Sequence, residues 1–408
     1  MSEVAPDVSR DAPRKSLPPG FLVVWTTVVI DMIGFGIAFP VLGPFARDRF
    51  GASGFMVGAI GAAFSLAQFV MSPLLGRLSD RVGRKPVLVA SLIGTSIASV
   101  GTAFAGSAWL LFAWRAFDGA SGATIGVANA VVADVAEPER RAPLLGMIGA
   151  AFGIGFTIGP AVGSIAARVG GVRAPFILTG ILAALNAVAA VIRVKETKGL
   201  AVAQSTERSP ENSTLARTWR EGGLPTLLVM SVVVMIAFSS FEQTYAIFAE
   251  DRIGLNTKTI GFSFALVGMV VMIVQGGLIR LVTMRFDQRQ ILRLALVTVA
   301  AGFVVLSIAH GWGLLVPGIL LLAAGQGFSS PTLSSAISNR IDPMRRGAVL
   351  GVQQSWNALA RVVGPLAGGF AFDHVGKNSP MIAGALLFLT AAVLSTRTGS
   401  LPDPAGSR

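Results

Sequence analysis

Five ionisable residues interrupt the long apolar stretches of this 408-residue sequence: Asp31, Arg115, Asp118, Glu242 and Arg361. A charged side chain at the centre of a bilayer costs about 2.5–3.5 kcal/mol on insertion scales, so such residues face a cavity or pair with one another. A carboxylate that alternates between apolar surroundings and the neighbourhood of an arginine can bind a proton on one side of a membrane and release it on the other. The five residues are therefore candidates for proton coupling. Asp31 comes first because it lies near the middle of its apolar stretch.

Glu242 is the second candidate for the proton-binding acid, but other roles stay open. Its carboxylate could attract a cationic substrate or lie in a wet outer vestibule, and the two arginines could modulate the acids or hold a substrate anion. A purely structural alternative is that the charges form satisfied pairs, for example Asp31 with Arg115, that only join helices. Amide side chains within the apolar stretches are candidates for lining the same cavity: Gln68, Asn129, Gln243, Gln275, Gln353 and Asn357.

The elements that must position these residues are predicted to be membrane-spanning helices. The chain is 53% hydrophobic and only 13% charged, whereas soluble domains carry about 25% charged residues. About 20 apolar residues cross a bilayer as a helix, and these stretches are too long for barrel strands. We predict an all-α integral membrane protein with twelve spans, numbered one to twelve, at residues 21–43, 54–76, 86–106, 108–132, 143–166, 174–194, 224–248, 259–283, 291–309, 312–338, 348–372 and 379–397.

An internal repeat divides the chain into two halves. The sequence Pro138–Gly146 recurs in part as Pro343–Gly351, and Gly159-Pro160 recurs as Gly364-Pro365, always 205 residues later. Such duplication is typical of transporters, whose substrate path runs between the two copies. The predicted domains are an N-terminal tail at 1–20, a six-helix bundle at 21–194, a linker at 195–222, a second six-helix bundle at 223–397 and a C-terminal tail at 398–408.

The distribution of basic residues predicts the orientation. With the N-terminus inside, 24 of the 33 Lys and Arg residues lie on the inner side, seven on the outer side, and two within spans. This asymmetry follows the positive-inside rule and predicts cytoplasmic tails and linker. The net charge of +12 is thus assigned to the membrane surface rather than to nucleic acid. No cysteine is present, and neither a metal site nor a cofactor is predicted.

The connection between spans two and three carries the most specific motif. Gly76–Pro86, which we name the signature loop, reads Gly-Arg-Leu-Ser-Asp-Arg-Val-Gly-Arg-Lys-Pro. It resembles the G-x-x-x-D-R-x-G-R-K loop of the major facilitator superfamily. The resemblance implies gating roles, and Asp134 at the inner end of span four occupies the place of an acid in that network. The implied gating residues are Gly76, Asp80, Arg81, Gly83, Arg84, Lys85 and Asp134.

Span five carries a second motif, in which Gly155, Gly159, Pro160 and Gly163 resemble the G-x-x-x-G-P-x-x-G pattern of drug:proton antiporters. Glycines four residues apart share one helix face and permit close helix approach, and a proline can bend the helix. The sequence 114–122 resembles the family's R-x-x-Q-G motif, with Asp118 where Gln is common. The stretch from Asp31 to Leu42 resembles the first span of tetracycline-type exporters.

These resemblances imply the major facilitator fold, with the site between the bundles near the midplane. They imply a monomeric secondary transporter in a bacterial cell (inner) membrane that exports drug-like amphipathic molecules against inward proton flow. Proton-coupled uptake of a metabolite is the alternative for a transporter, and a non-transporting receptor is the alternative from another class. No P-loop, H-E-x-x-H or G-x-S-x-G motif is present among the spans, so an enzyme is not predicted.

Overall fold

The computed structural model describes residues 17–18, 20–136, 138–198, 223–341 and 346–397. Every regular element in these ranges is a helix, as predicted. The N-terminal spans are Phe21–Phe50, Gly54–Val82, Arg84–Ala103, the pair Ala108–Ser121 and Thr124–Val135, Pro138–Gly170, and Ala174–Arg193. The C-terminal spans are Leu224–Ile253, Thr257–Thr283, Gln288–Ser307, Trp312–Ser338, Arg346–His374 and Ser379–Arg397. The repeat residues Pro343–Arg345, most of the linker and the C-terminal tail lie outside the described residues.

Ten of these spans are long and apolar enough to cross a membrane, counting described residues only. The other two are span four, which is divided, and the more polar span eleven. The chain is thus a multi-pass membrane protein.

Two spans differ from the uninterrupted helices that the sequence predicts. Span four breaks at Gly122–Ala123, where the Ser91 hydroxyl accepts a hydrogen bond of 2.9 Å from the Ala123 backbone N–H and donates one to the Ser121 carbonyl. Ser91 on span three therefore satisfies backbone groups that the break exposes. Span eight passes through a π-helical turn at Val274–Leu278 before its last helical turn.

The two halves repeat the same packing. Span one packs on spans five and six, and span seven packs in the same way on spans eleven and twelve. Corresponding turns also match, because Gly51 and Gly254 both end a helix in the left-handed conformation, with φ of +62° and +72°. Ser53 and Asn256 then cap the next helix through their side chains. Between the halves, span two packs on span eleven and span five packs on span eight.

We name the end that carries the signature loop the basic end, and the opposite end, with the turns at 51–53 and 254–256, the closed end. Backbone contact between the bundles is tight in the closed-end half. A Cβ atom added to Gly58 would meet the Pro365 carbonyl, and one added to Gly261 would lie 2.8 Å from the Pro160 carbonyl. At the basic end, no described atom lies within 4 Å of a Cβ atom added to Gly76 or Gly149. The close contacts between the bundles among the described residues therefore lie in the closed-end half.

Candidate functional site: two adjoining polar cavities

A cavity between the two bundles brings together three of the five charges predicted within spans. Arg115 enters it from span four, Glu242 from span seven and Arg361 from span eleven. Gln243, another predicted cavity residue, also lines it. The remaining wall is largely apolar and comes from spans one, two, seven and eleven: Phe35, Ala38, Phe39, Leu42, Gly61, Phe64, Ser65, Ser239 and Pro365.

A second cavity lies within the N-terminal bundle and contains the other two charges, Asp31 and Asp118. The Arg115 guanidinium donates a hydrogen bond of 2.6 Å to the Asp118 carboxylate. Its charge also lies over the Phe64 ring, 4.6 Å from the centroid. Arg115 lines both cavities, so this arginine physically connects the two sites.

The pairing of Asp31 with Arg115 considered from the sequence is wrong for this conformation. Arg115 pairs instead with Asp118, one helical turn away on the same helix. Asp31 lies beside Thr124 in this cavity and makes no ion pair with any described residue. Thr95 lines the same cavity beside Asp118. Among the described residues, one of the two acids thus has a cationic partner in ion-pair contact and the other does not.

Glu242 and Arg361 attract each other electrostatically but do not form an ion pair within 4 Å. Neither side chain makes a hydrogen bond with another residue in the described part of the chain. Neighbouring Gln243 is held more firmly, because its amide N–H₂ donates a hydrogen bond of 3.2 Å to the Val57 carbonyl on span two. The central cavity therefore presents the Glu242 carboxylate and the Arg361 guanidinium, and both are available to a ligand.

The other predicted amides do not all reach these cavities. Gln68 lines the cavity of the N-terminal bundle. Gln353 and Asn357 bind Ser231, at 3.0 and 2.8 Å, and so bridge spans seven and eleven. Asn129 and Gln275 are exposed and line neither cavity.

Sequence reasoning missed the aromatic wall. The Phe35 ring lies 5.7 Å from Phe39 and 5.6 Å from Phe64, and Phe39 contacts Phe264 on span eight edge-on at 5.6 Å. A signal was present, because Asp31, Phe35 and Phe39 are four residues apart and share one face of span one. Thr95 and Thr124, which line the cavity with the acids, carried no such signal.

The signature loop is held by ionic contacts within the N-terminal half. Arg84 binds Asp134 at 2.9 Å and also pairs with Asp80. Gly83 has a φ of +109°, a conformation that disfavours residues with a side chain. This glycine therefore allows the chain to turn into span three. The predicted network residues Asp80, Arg84 and Asp134 are thus adjacent in this conformation.

The start of the linker joins the same cluster. The Glu196 carboxylate accepts hydrogen bonds from the backbone N–H groups of Arg84, at 2.8 Å, and Lys85, at 3.1 Å. Burial alone would raise the pKa of Glu196, but four backbone hydrogen bonds hold that pKa below its ordinary value. Lys198 donates a hydrogen bond to the Arg81 carbonyl. The segment after span six is therefore fastened to the signature loop.

The antiporter-type motif divides its contacts between the bundles. Its glycines face span one of their own bundle, where a Cβ atom on Gly155 would lie 2.5 Å from the Met32 carbonyl oxygen. Gly159 and Gly163 approach the span one backbone in the same way. Pro160 instead presents its carbonyl to Gly261 on span eight of the other bundle.

At the closed end, acids of the C-terminal half hold the N-terminal half. Both carboxylate oxygens of Asp373 accept hydrogen bonds of 2.7 Å, from the backbone N–H groups of Gly54 and Phe55 at the start of span two. Asp251 pairs with Arg47 across the bundles at 2.9 Å and with Lys377 at 3.1 Å. These contacts close one end of the central cavity.

Comparisons with known proteins agree with this architecture. The family model described as Major Facilitator Superfamily matches residues 24–284 and 279–408. The chain is 32% identical over 356 residues to the tetracycline resistance protein, class C, of Escherichia coli, covering 85% of this chain and 87% of that protein. It is 26% identical to multidrug resistance protein 2 of Bacillus subtilis (strain 168), covering 86% and 88% of the two chains. A crystal structure of a bacterial homolog to the human lysosomal transporter Spinster, inward-facing and unoccupied, matches with a TM-score of 0.75 at 17% identity, covering 93% and 96%.

Proposed function

The chain belongs to the Major Facilitator Superfamily, and we propose that it exports drug-like amphipathic small molecules in exchange for protons. Proteins of this family are transporters rather than enzymes, and relatives with similar sequences are tetracycline resistance and multidrug resistance proteins. The observation that carries the proposal is the central cavity, where Arg115, Glu242 and Arg361 lie beside an aromatic wall, directly adjoining the acids of the N-terminal bundle.

The excess of Lys and Arg at the basic end supports a cytoplasmic location for that end, for both tails and for the linker. In that orientation the contacts between the bundles close the central cavity to the outside, and we infer that it opens to the cytoplasm. Transport then requires the bundles to rock between this arrangement and one that opens the closed end. Because one chain supplies both bundles and the whole cavity, a monomer is sufficient.

Arg115 offers a physical route for coupling substrate to protons. In this state the arginine is shared between the Asp118 carboxylate and the wall of the central cavity. A cationic ligand group bound at Glu242 repels the guanidinium toward the acids of the N-terminal bundle. Those acids then release protons more readily, because an opposite charge that favours ionisation has come nearer. Asp31, which makes no ion pair with a described residue, is our candidate for the proton carrier.

Purified protein in liposomes tests this proposal. With an imposed pH gradient, a panel of antibiotics and fluorescent dyes should move against the direction of proton flow, and a protonophore should abolish the movement. Movement of a substrate in the same direction as protons would support the uptake alternative instead. Proton flux that no compound changes would support a receptor.

The contact of Asp373 with span two should bias the protein toward the closed-outside state. Asp373→Asn removes a negative charge from a helix N-terminus, where such a charge contributes about 0.3–1 kcal/mol. The fraction of molecules in which the two bundles are separated at the closed end should therefore rise by up to about fivefold. Because the native chain contains no cysteine, spin labels placed at the closed end can report the distance distribution directly.

Asp48→Asn is the matched control for that experiment. Asp48 is an exposed aspartate at the same end that makes no ion pair or hydrogen bond with a described residue. Its substitution should leave the distances unchanged. Equal distributions in Asp373→Asn and wild type would remove Asp373 from the gate.

A further inference from the structure

The central cavity contains an arginine that has no ionic partner in direct contact among the described residues. Arg361 lines the cavity from span eleven, is exposed to it, and makes neither a hydrogen bond nor an ion pair with any residue in the described ranges. The other arginine, Arg115, already has the Asp118 carboxylate at 2.6 Å. A cation at the depth of the membrane that contacts no acid directly is costly, and a ligand that supplies a negative charge in direct contact offsets that cost.

Glu242 is the complementary feature of the same wall. It is the only acid that lines the central cavity among the described residues, and its one electrostatic partner, Arg361, lies beyond ion-pair distance. If Glu242 and Arg361 paired directly, neither charge would be available to a ligand. Because the two groups are apart, Arg361 can bind an anionic group and Glu242 a cationic group of one ligand molecule.

The apolar part of the wall defines the rest of the ligand. Phe35, Phe39 and Phe64 form a continuous aromatic surface with ring centroids 5.6–5.7 Å apart. Such a surface accepts flat aromatic rings by offset stacking or edge contacts. The polar groups then fix the orientation of the bound molecule.

From this arrangement we infer that the cavity selects aromatic zwitterions, binding the anionic group at Arg361 and the cationic group at Glu242. The inference rests on the proposed export function and makes it narrower. Arg361 and Glu242 are specificity-determining residues in this account. A carboxylate can accept two parallel hydrogen bonds from the planar guanidinium, whereas a lysine ammonium at that position provides only a point charge.

Three dyes with related scaffolds test the inference, with binding to detergent-purified protein followed by fluorescence anisotropy. Rhodamine 110 is a zwitterion with a free carboxylate, rhodamine 123 is its cationic methyl ester, and fluorescein has acidic groups but no cationic one. Wild-type protein should bind rhodamine 110 about tenfold or more tightly than either other dye, since each charge-assisted contact is lost in one of them.

The variants separate the two contacts. Arg361→Gln should remove the preference for rhodamine 110 over rhodamine 123 while keeping the preference over fluorescein, and Glu242→Gln should do the reverse. Arg361→Lys should restore part of the first preference, which shows that the site is still folded. Arg280→Gln, an exposed arginine at the basic end outside both cavities, is the control and should change neither preference.

Equal affinity for rhodamine 110 and its ester in the wild type, or an unchanged preference in Arg361→Gln, overturns the inference. That result is separate from the failure of the proposed function. If the dyes bind equally but a pH gradient still drives their movement in liposomes, export stands and zwitterion selection fails. If rhodamine 110 binds with the expected preference but no gradient moves it, the selection stands and export fails.

Discussion

Asp31→Asn should abolish proton-driven transport while leaving substrate binding at its wild-type level. The amide has the size of the carboxylate and keeps an oxygen that accepts hydrogen bonds from the polar groups of this cavity, so the local packing is kept. An amide, however, does not exchange a proton at accessible pH. Substrate affinity should persist because Asp31 lies in the cavity of the N-terminal bundle and does not line the central cavity.

Two assays in liposomes measure the separate steps. Transport driven by a pH gradient should fall to the background of protein-free liposomes, whereas exchange of labelled for unlabelled substrate without a gradient should continue. Gradient-driven rates equal to wild type in Asp31→Asn would show that another acid carries the proton. Asp118→Asn is the informative comparison, because it leaves Arg115 without its ionic partner and should impair both assays.

Gly159→Leu should destabilise the N-terminal bundle more than any other single change proposed here. A Cβ atom at this position would lie 2.6 Å from the Gly36 Cα atom, and a backbone neighbour cannot rotate away as a side chain can. Overpacking of a close contact typically costs about 1–3 kcal/mol, and spans one and five would have to separate along much of their length. We expect the melting temperature in detergent to fall by about 5–10 °C, with a lower yield of folded protein.

Gly149→Leu provides the control on the same helix. Gly149 is exposed, and a Cβ atom there meets no described atom within 4 Å. Both variants raise the hydrophobicity of span five equally, so any difference between them reports packing rather than membrane insertion. Similar melting temperatures for the two variants would mean that spans one and five separate without penalty at Gly159.

Much of the architecture was predictable from local sequence. Apolar length predicts a spanning helix because a bilayer leaves backbone groups no partner outside the segment. The repeat at an offset of 205 residues predicts two similar bundles, and the structure contains matching packing in each half. The break in span four was not predictable in this way, because Ser91, the residue that stabilises it, belongs to another helix.

The partners within the site were decided by tertiary structure. Hydropathy identified the charges of the cavities, but not that Arg115 binds Asp118 rather than Asp31, nor that Arg361 makes no ion pair with a described residue. The glycine pattern in span five predicted a close helix contact, yet only packing shows that the glycines meet span one while Pro160 faces the other bundle. Composition and periodicity determine how each segment meets lipid, a property of the segment alone. Pairing depends on the angle and depth at which separate helices cross, and those are set by the packing of the whole molecule.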